Sequence, residues 1–176
     1  MSVRDLHLLG SPALRARCAE VESVDEAVRN LIVDLFETMD AAKGVGLAAN
    51  QVGITTRVAV VDADGQRIAM VNPVITAAEG KAKAEEGCLS IPEMYADVTR
   101  PDKIVLEALD REGKPFRLEA TGLAARAIQH EVDHLDGVLF IDYLSPLKRG
   151  LLLARYKKDH RGESVIKQLK SVEARR

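Results

Sequence analysis

Apolar residues near the start of the chain recur with the period of a helix. Val24, Val28, Leu31, Ile32, Leu35 and Met39 follow the spacing that lines one face at 3.6 residues per turn. Ser23-Val-Asp-Glu26 has the form of a capping box and Gly44 offers a stop, so a helix is predicted over 24–42. Ahead of it, Ser11-Pro12 suits the opening of a short helical turn. The pattern then shifts to short apolar runs. RVAVVD (57–62) and QRIAMVN (66–72) flank Ala63-Asp64-Gly65, and KIVLEALD (103–110) and PFRLEA (115–120) flank Arg-Glu-Gly-Lys. Each pair reads as a β-hairpin. A second helix is predicted over 121–135, stopped by Gly137, then a short strand over 138–142. Ser145-Pro146 opens a third helix, which Gly150 weakens slightly. Two stretches follow neither period: KGVGLAANQVG (43–53), punctuated by glycine, and KAKAEEGCLSIPEM (81–94). Strands clustered between helices, with no internal repeat, predict a single α+β domain.

Composition narrows the field. A chain of 176 residues, 47% hydrophobic and 30% charged, suits one globular domain with an ordinary core. Aromatic residues are 3% with no Trp, which argues against stacked recognition of single strands; no DNA partner is expected. MSVRDLHLLGSP lacks a basic segment followed by an apolar run, so no signal peptide is expected. No stretch reaches about 18 uninterrupted apolar residues, so no membrane span is expected. Two cysteines, Cys18 and Cys88, are too few for a secreted disulfide framework. A cytoplasmic location follows as the expectation, and there a thiol is free to act as a thiolate. The net charge of −2 is unevenly spread: residues 147–176 hold ten basic and three acidic side chains, or +7, leaving −9 elsewhere. A basic tail on an acidic body fits a polyanionic partner, and equally a solvated terminal helix.

AIQHEVDHLDG (127–137) contains HEVDH. Residues four apart share a helix face, so His130 and His134 can reach one ion, with Glu131 placed to handle the proton of a water there. The motif alone is a modest signal, since a charged surface helix can contain it by chance. Its neighbours strengthen it. Leu123, Ala127, His130 and His134 form one stripe, so the imidazoles continue an apolar face and point inward, where an unpartnered ring is costly. A catalytic metal needs a third protein ligand. His160 lies in the basic tail, a poor place for one. Cys88, in EEGCLS, is a thiolate donor suited to zinc or ferrous iron. Cys18 has no visible partner and reads as a buried free thiol.

Together, GVGLAANQVG (44–53), EEGCLS (85–90) and QHEVDHLDG (129–137) resemble the peptide deformylase family, over about residues 6–148. The resemblance implies a compact α+β domain, with antiparallel or mixed strands around a central HExxH helix, ending in a C-terminal helix. It divides the chain into a catalytic domain (1–147) and a basic helical tail of that domain (148–176). It implies hydrolysis of the N-formyl group from the formyl-methionine terminus of new polypeptides, with release of formate. Metal ligands would be Cys88, His130 and His134, for one divalent ion. Ferrous iron is the family's usual physiological metal, with zinc, nickel or cobalt accepted in purified protein. Glu131 would move the proton, and Gln51 and the Leu89 backbone N–H would donate to the formyl oxygen. Gly46 would pair with the substrate main chain, laid along an edge strand, beside Gly44. Val45, Glu86, Leu123 and Ala127 would line the methionine pocket, and Gly87 would also contact the substrate. The basic tail, through Lys148, Arg149, Lys157 and Lys158, would contact the ribosome.

Some positions depart from the family pattern. Tyr95 stands where bacterial members often carry Arg. Arg126 stands where a smaller apolar residue is familiar, either snorkelling outward or narrowing the pocket mouth. Arg100 matches a family arginine that would pair with Glu86. Two rivals remain at this stage: an HExxH metallopeptidase cleaving internal bonds, and an inactive ribosome-binding relative that kept the fold.

Overall fold

The computed structural model describes residues 2–170. A five-stranded antiparallel sheet forms its centre, built from β2 (Gly46–Ala48), β3 (Val58–Ala63), β4 (Gln66–Glu79), β7 (Lys103–Leu109) and β8 (Pro115–Thr121), in the spatial order β2-β3-β4-β7-β8. Helix α1 (Glu26–Ala41) covers one face and α2 (Gly122–Leu135) the other. Strand β3 shows why. Side chains alternate across a sheet: Val58 and Val60 pack towards Leu31, Leu35 and Met39 of α1, while Ala59, Val61 and Ala63 pack towards Ala124, Ala125 and Ile128 of α2. A strand buried on both faces reads as a continuous apolar run, as Val58–Val61 does. The α2 side is rich in alanine, which lets the helix lie close to the sheet.

A separate hairpin joins β5 (Ala82–Cys88) to β6 (Ile91–Arg100) through the two residues Leu89 and Ser90. It packs with Leu139, Phe140 and Ile141 and with Tyr156 of α3 (Pro146–Asp159). Strand β9 (Ile166–Lys167) then returns to pair with β1 (Leu6–His7). The α+β class, the two sheet hairpins and all three helices stand where the sequence predicts them. Ser145 caps α3 by accepting from the Lys148 N–H, and Gly137, at φ 75°, ends α2 where an added Cβ would meet the Arg15 carbonyl oxygen at 2.6 Å.

Four local expectations are corrected. The cap of α1 is Asp25, not Ser23: its carboxylate accepts from the Val28 N–H, and a negative charge at a helix N-terminus is favoured. Residues 138–142 form no strand but run into a 3-10 turn, Phe140–Tyr143. Asp142 takes the Leu139 N–H at 3.0 Å and pairs with Arg15 at 2.7 Å, a local alternative to ladder bonding. The stretch 81–94 is not irregular; it carries β5, the turn and the start of β6. Within 43–53, three residues form edge strand β2 and Ala49–Val52 form a 3-10 turn. Strand β4 also runs past Pro73, because a bulge at Asn72 (φ 50°) absorbs it.

Candidate metal centre and substrate groove

Three elements converge on one point. Helix α2 brings His130, Glu131 and His134, all buried, and hairpin β5–β6 brings Cys88 at its turn. The loop after α1 brings β2 and the 3-10 turn, with Gly46 and Gln51. The Cys88 Sγ lies 3.3 Å from His134 Nε2, which lies 3.1 Å from His130 Nε2. The three residues' ligand atoms lie within 4.8 Å of one another. The predicted stripe on α2 also holds: Leu123 stands half-exposed at the mouth of the cavity, Ala127 lies deeper, and the two histidines are buried.

A divalent ion fits this cluster. Three electron-pair donors facing one another in a buried space repel unless a proton or a cation lies between them. Glu86 fixes the His130 ring: its Oε1 accepts from the His130 Nδ1–H at 3.0 Å, which leaves Nε2 as a donor towards the cluster. Burial opposes charge on both rings. At His130 the bonds to Cys88 and Glu86 outweigh burial and hold the pKa well above the imidazole value. At His134 burial and the neighbouring His130 charge hold it well below. Phe140 stacks on His130 with ring centroids 6.3 Å apart, closing the inner side.

Glu131 is 4% exposed, and its Oε2 has no hydrogen-bond partner. Burial pushes its pKa up to about 7. A carboxylate of that basicity can take a proton near neutral pH and give it back. Gly46 makes room for it: a Cβ there would lie 2.6 Å from Glu131 Oε1. Gln51 is oriented from both ends. Its Oε1 accepts from the Ala48 N–H at 2.9 Å, and its Nε2 donates to Ser90 Oγ at 3.0 Å, beside Cys88.

The cluster opens into a cavity of about 570 Å³. Gly44, Val45, Gly46, Gln51, Glu86, Gly87, Cys88, Leu89, Leu123, Ala127, His130 and Glu131, all singled out in the sequence, line it. His134 lies behind them, 1% exposed. Tyr95 lines the cavity with its side chain largely exposed. Arg100 pairs with Glu86 through two bonds, at 2.6 and 2.9 Å, and with Asp133 at 2.8 Å. Arg126 does not snorkel outward; it is among the residues lining the cavity and donates to Glu86, Val98 O and Ala82 O. His160 stays apart, stacked on Tyr156 and bonded to Glu163. Cys18 is a core thiol, its pKa raised to about 11 by burial.

Sequence reasoning missed Ser90, Asn50 and Asp133. Ser90 orients Gln51, Asn50 donates to the His134 carbonyl, and Asp133 ties Arg100 to Tyr143. Each is a short polar residue within a quoted motif, and nothing in its spacing separates it from an ordinary solvated polar residue.

An HExxH helix with a thiolate from a neighbouring hairpin defines a metallo-hydrolase-type site. The family model for polypeptide deformylase matches residues 3–150. The peptide deformylase of Chromohalobacter salexigens is 51% identical over 152 residues, covering 84% of this chain and 89% of that protein. That of Rhizobium meliloti is 46% identical over 164 residues, covering 90% and 94%. The crystal structure of a peptide deformylase from Legionella pneumophila superposes with a TM-score of 0.86 at 44% identity, over 90% of this chain and 96% of that one. One from Ehrlichia chaffeensis, in complex with actinonin, gives 0.88 at 38% identity, over 92% and 99%. The chain belongs to the peptide deformylase family, metal-dependent hydrolases that remove the N-formyl group from nascent peptides.

Proposed function

We propose that this chain releases formate from formyl-methionyl peptides at a divalent ion held by Cys88, His130 and His134. The observation that carries the reading is the convergence of those three donors beside a buried, basic Glu131 at the floor of an open groove. An ion held there supplies positive charge that acidifies water and polarises a carbonyl. Glu131 accepts a proton from the water that attacks the formyl carbon. As the carbon turns tetrahedral, charge builds on the formyl oxygen, where the Gln51 amide and the Leu89 N–H donate to it. The C–N bond then breaks, Glu131 returns its proton to the departing amine, and formate leaves. Ala48 and Ser90 hold Gln51 in place before substrate arrives, so the donor needs little reorganisation.

The free edge of β2 suits an extended peptide, because main-chain bonds ignore side-chain identity. Val45, Leu123 and Ala127 form an apolar wall suited to a methionine side chain, with Gly44, Gly87 and Glu86 around it. The thiolate and imidazole donors accept ferrous iron in the cell and zinc, nickel or cobalt in purified protein. Formyl-Met-Ala should yield formate, while an unformylated peptide with internal bonds should stay intact. Cleavage of the second substrate would favour a metallopeptidase instead.

The same reading places the protein in the cytoplasm, working on nascent chains. Among the described residues no helix is long and apolar enough to cross a membrane. For the ribosome contact, α3 carries Lys148, Arg149, Lys157 and Lys158. Reversing the charge of Lys148, Lys157 and Lys158 should weaken a salt-sensitive association with ribosomes; undiminished binding would count against it. Charge reversal is preferable to deletion, because Leu169, beyond α3, packs into the α1-side core.

A further inference from the structure

Cys88 belongs to hairpin β5–β6, whereas His130 and His134 belong to α2. The spacing of the three donors therefore depends on what ties hairpin to helix. Arg126 stands on α2 one turn before His130, with its side chain 11% exposed. Its Nη1 donates to Glu86 Oε2 and, at 2.9 Å, to Val98 O; its Nη2 donates to Ala82 O at 2.8 Å. Ala82 is on β5 and Val98 on β6, so one guanidinium holds both strands and the carboxylate between them. Both carbonyls lie towards the end of the hairpin away from its turn, while Cys88 sits at the turn. Arg100 lies on β6 itself; its bonds to Glu86 remain within the hairpin, and its bond to Asp133 is a second tie to α2, beyond His130, whereas Arg126 ties the hairpin to the turn of α2 before His130. An apolar side chain at 126 would leave Glu86 without one of its donors and two strand carbonyls without this one.

We propose that Arg126 is a positioning residue for the Cys88–His130–His134 cluster: it clamps hairpin β5–β6 onto α2 and keeps Glu86 aimed at the His130 Nδ1–H. This rests on the metal reading of the cluster. The test is a Co²⁺ titration of the metal-free full chain against a competing chelator, followed in the near-ultraviolet thiolate-to-cobalt band. It is run on wild type, Arg126→Met and Arg126→Lys, with the melting temperature of each metal-free protein recorded. Wild type should bind one ion per chain. Arg126→Met should need roughly 10-fold more free cobalt for half-saturation, the low end of what loss of a ligand's own partner costs, because Arg126 acts through Glu86. Arg126→Lys, which keeps the charge but not the fork, should fall between. If Arg126→Met folds poorly, Arg126→Gln is judged by the same criterion. Half-saturation unchanged from wild type overturns the proposal even where melting falls, since Arg126 then only stabilises. Failure of wild type itself to bind cobalt removes the metal reading, and is seen without any variant.

Discussion

Glu86 accepts from Arg100, Arg126 and His130 at once. Burial works against its charge, but the bonds from His130 and Arg100 prevail and bring its pKa from 4.5 to about 2. A carboxyl whose folded-state pKa is depressed stabilises the fold above its unfolded value, and that stability is lost as pH falls through the folded one. The contribution is about 3 kcal/mol, present in full above the unfolded value and lost towards the folded one. Acid unfolding of the metal-free protein should steepen between pH 4.5 and 2, and Glu86→Gln should flatten that region. Parallel curves for the two proteins would show that Glu86 does not carry it. The cysteines differ in the same physical terms. Cys18 is buried and held as a thiol, while Cys88 is partly exposed at the cavity. Iodoacetamide should modify Cys88 in the folded metal-free chain and spare Cys18, with bound metal protecting Cys88 as well. Peptide masses decide this, and prior labelling of Cys18 would contradict the burial argument.

At the scale of elements, the site depends on a three-residue strand approaching a helix. Gly46 of β2 lies against the Glu131 carboxylate with no room for a Cβ. Gly46→Ala should leave the fold intact but displace Glu131 or the strand edge, lowering turnover by about 100-fold, as a misplacement near 1 Å can. Activity close to wild type would mean that the edge yields without cost. The same elements show what the sequence made legible. HEVDH was readable because a helix period turns spacing into a shared face. The sheet hairpins were readable because β3 and β7 are apolar runs bounded by turns. Hairpin β5–β6 was not. Strand β5 is mostly exposed, and its buried side chain Glu86 is charged and satisfied by arginines from β6 and α2. Hydrophobic periodicity carries no record of a strand held that way. Glu86 was legible as a pocket residue only through resemblance, and its hold on His130 became visible only in three dimensions. Arg126 was noticed as unusual, but its direction depends on carbonyls 28 and 44 residues away.

For the whole molecule, the sheet is sandwiched between α1 and α2; the sheet covers one side of α2, and hairpin β5–β6 and Phe140 meet it elsewhere, so most of its side chains from Ala124 onward are buried. Burial does part of the chemical tuning: it raises Glu131 and opposes charge on both histidines, while the bonds from Cys88 and Glu86 hold His130 the other way. The hairpin then supplies the thiolate from outside the sandwich and leaves the groove open beside β2. Everything proposed for the groove depends on this arrangement being a working metal site. The most direct measurement is formate release from formyl-Met-Ala-Ser by anaerobically purified protein, beside Glu131→Ala, with metal content read on the same samples. The expected result is an active wild type and a variant that keeps about one metal per chain but loses at least roughly 100-fold in turnover. A metal-loaded wild type that releases no formate, or a Glu131→Ala variant as active as wild type, would contradict it.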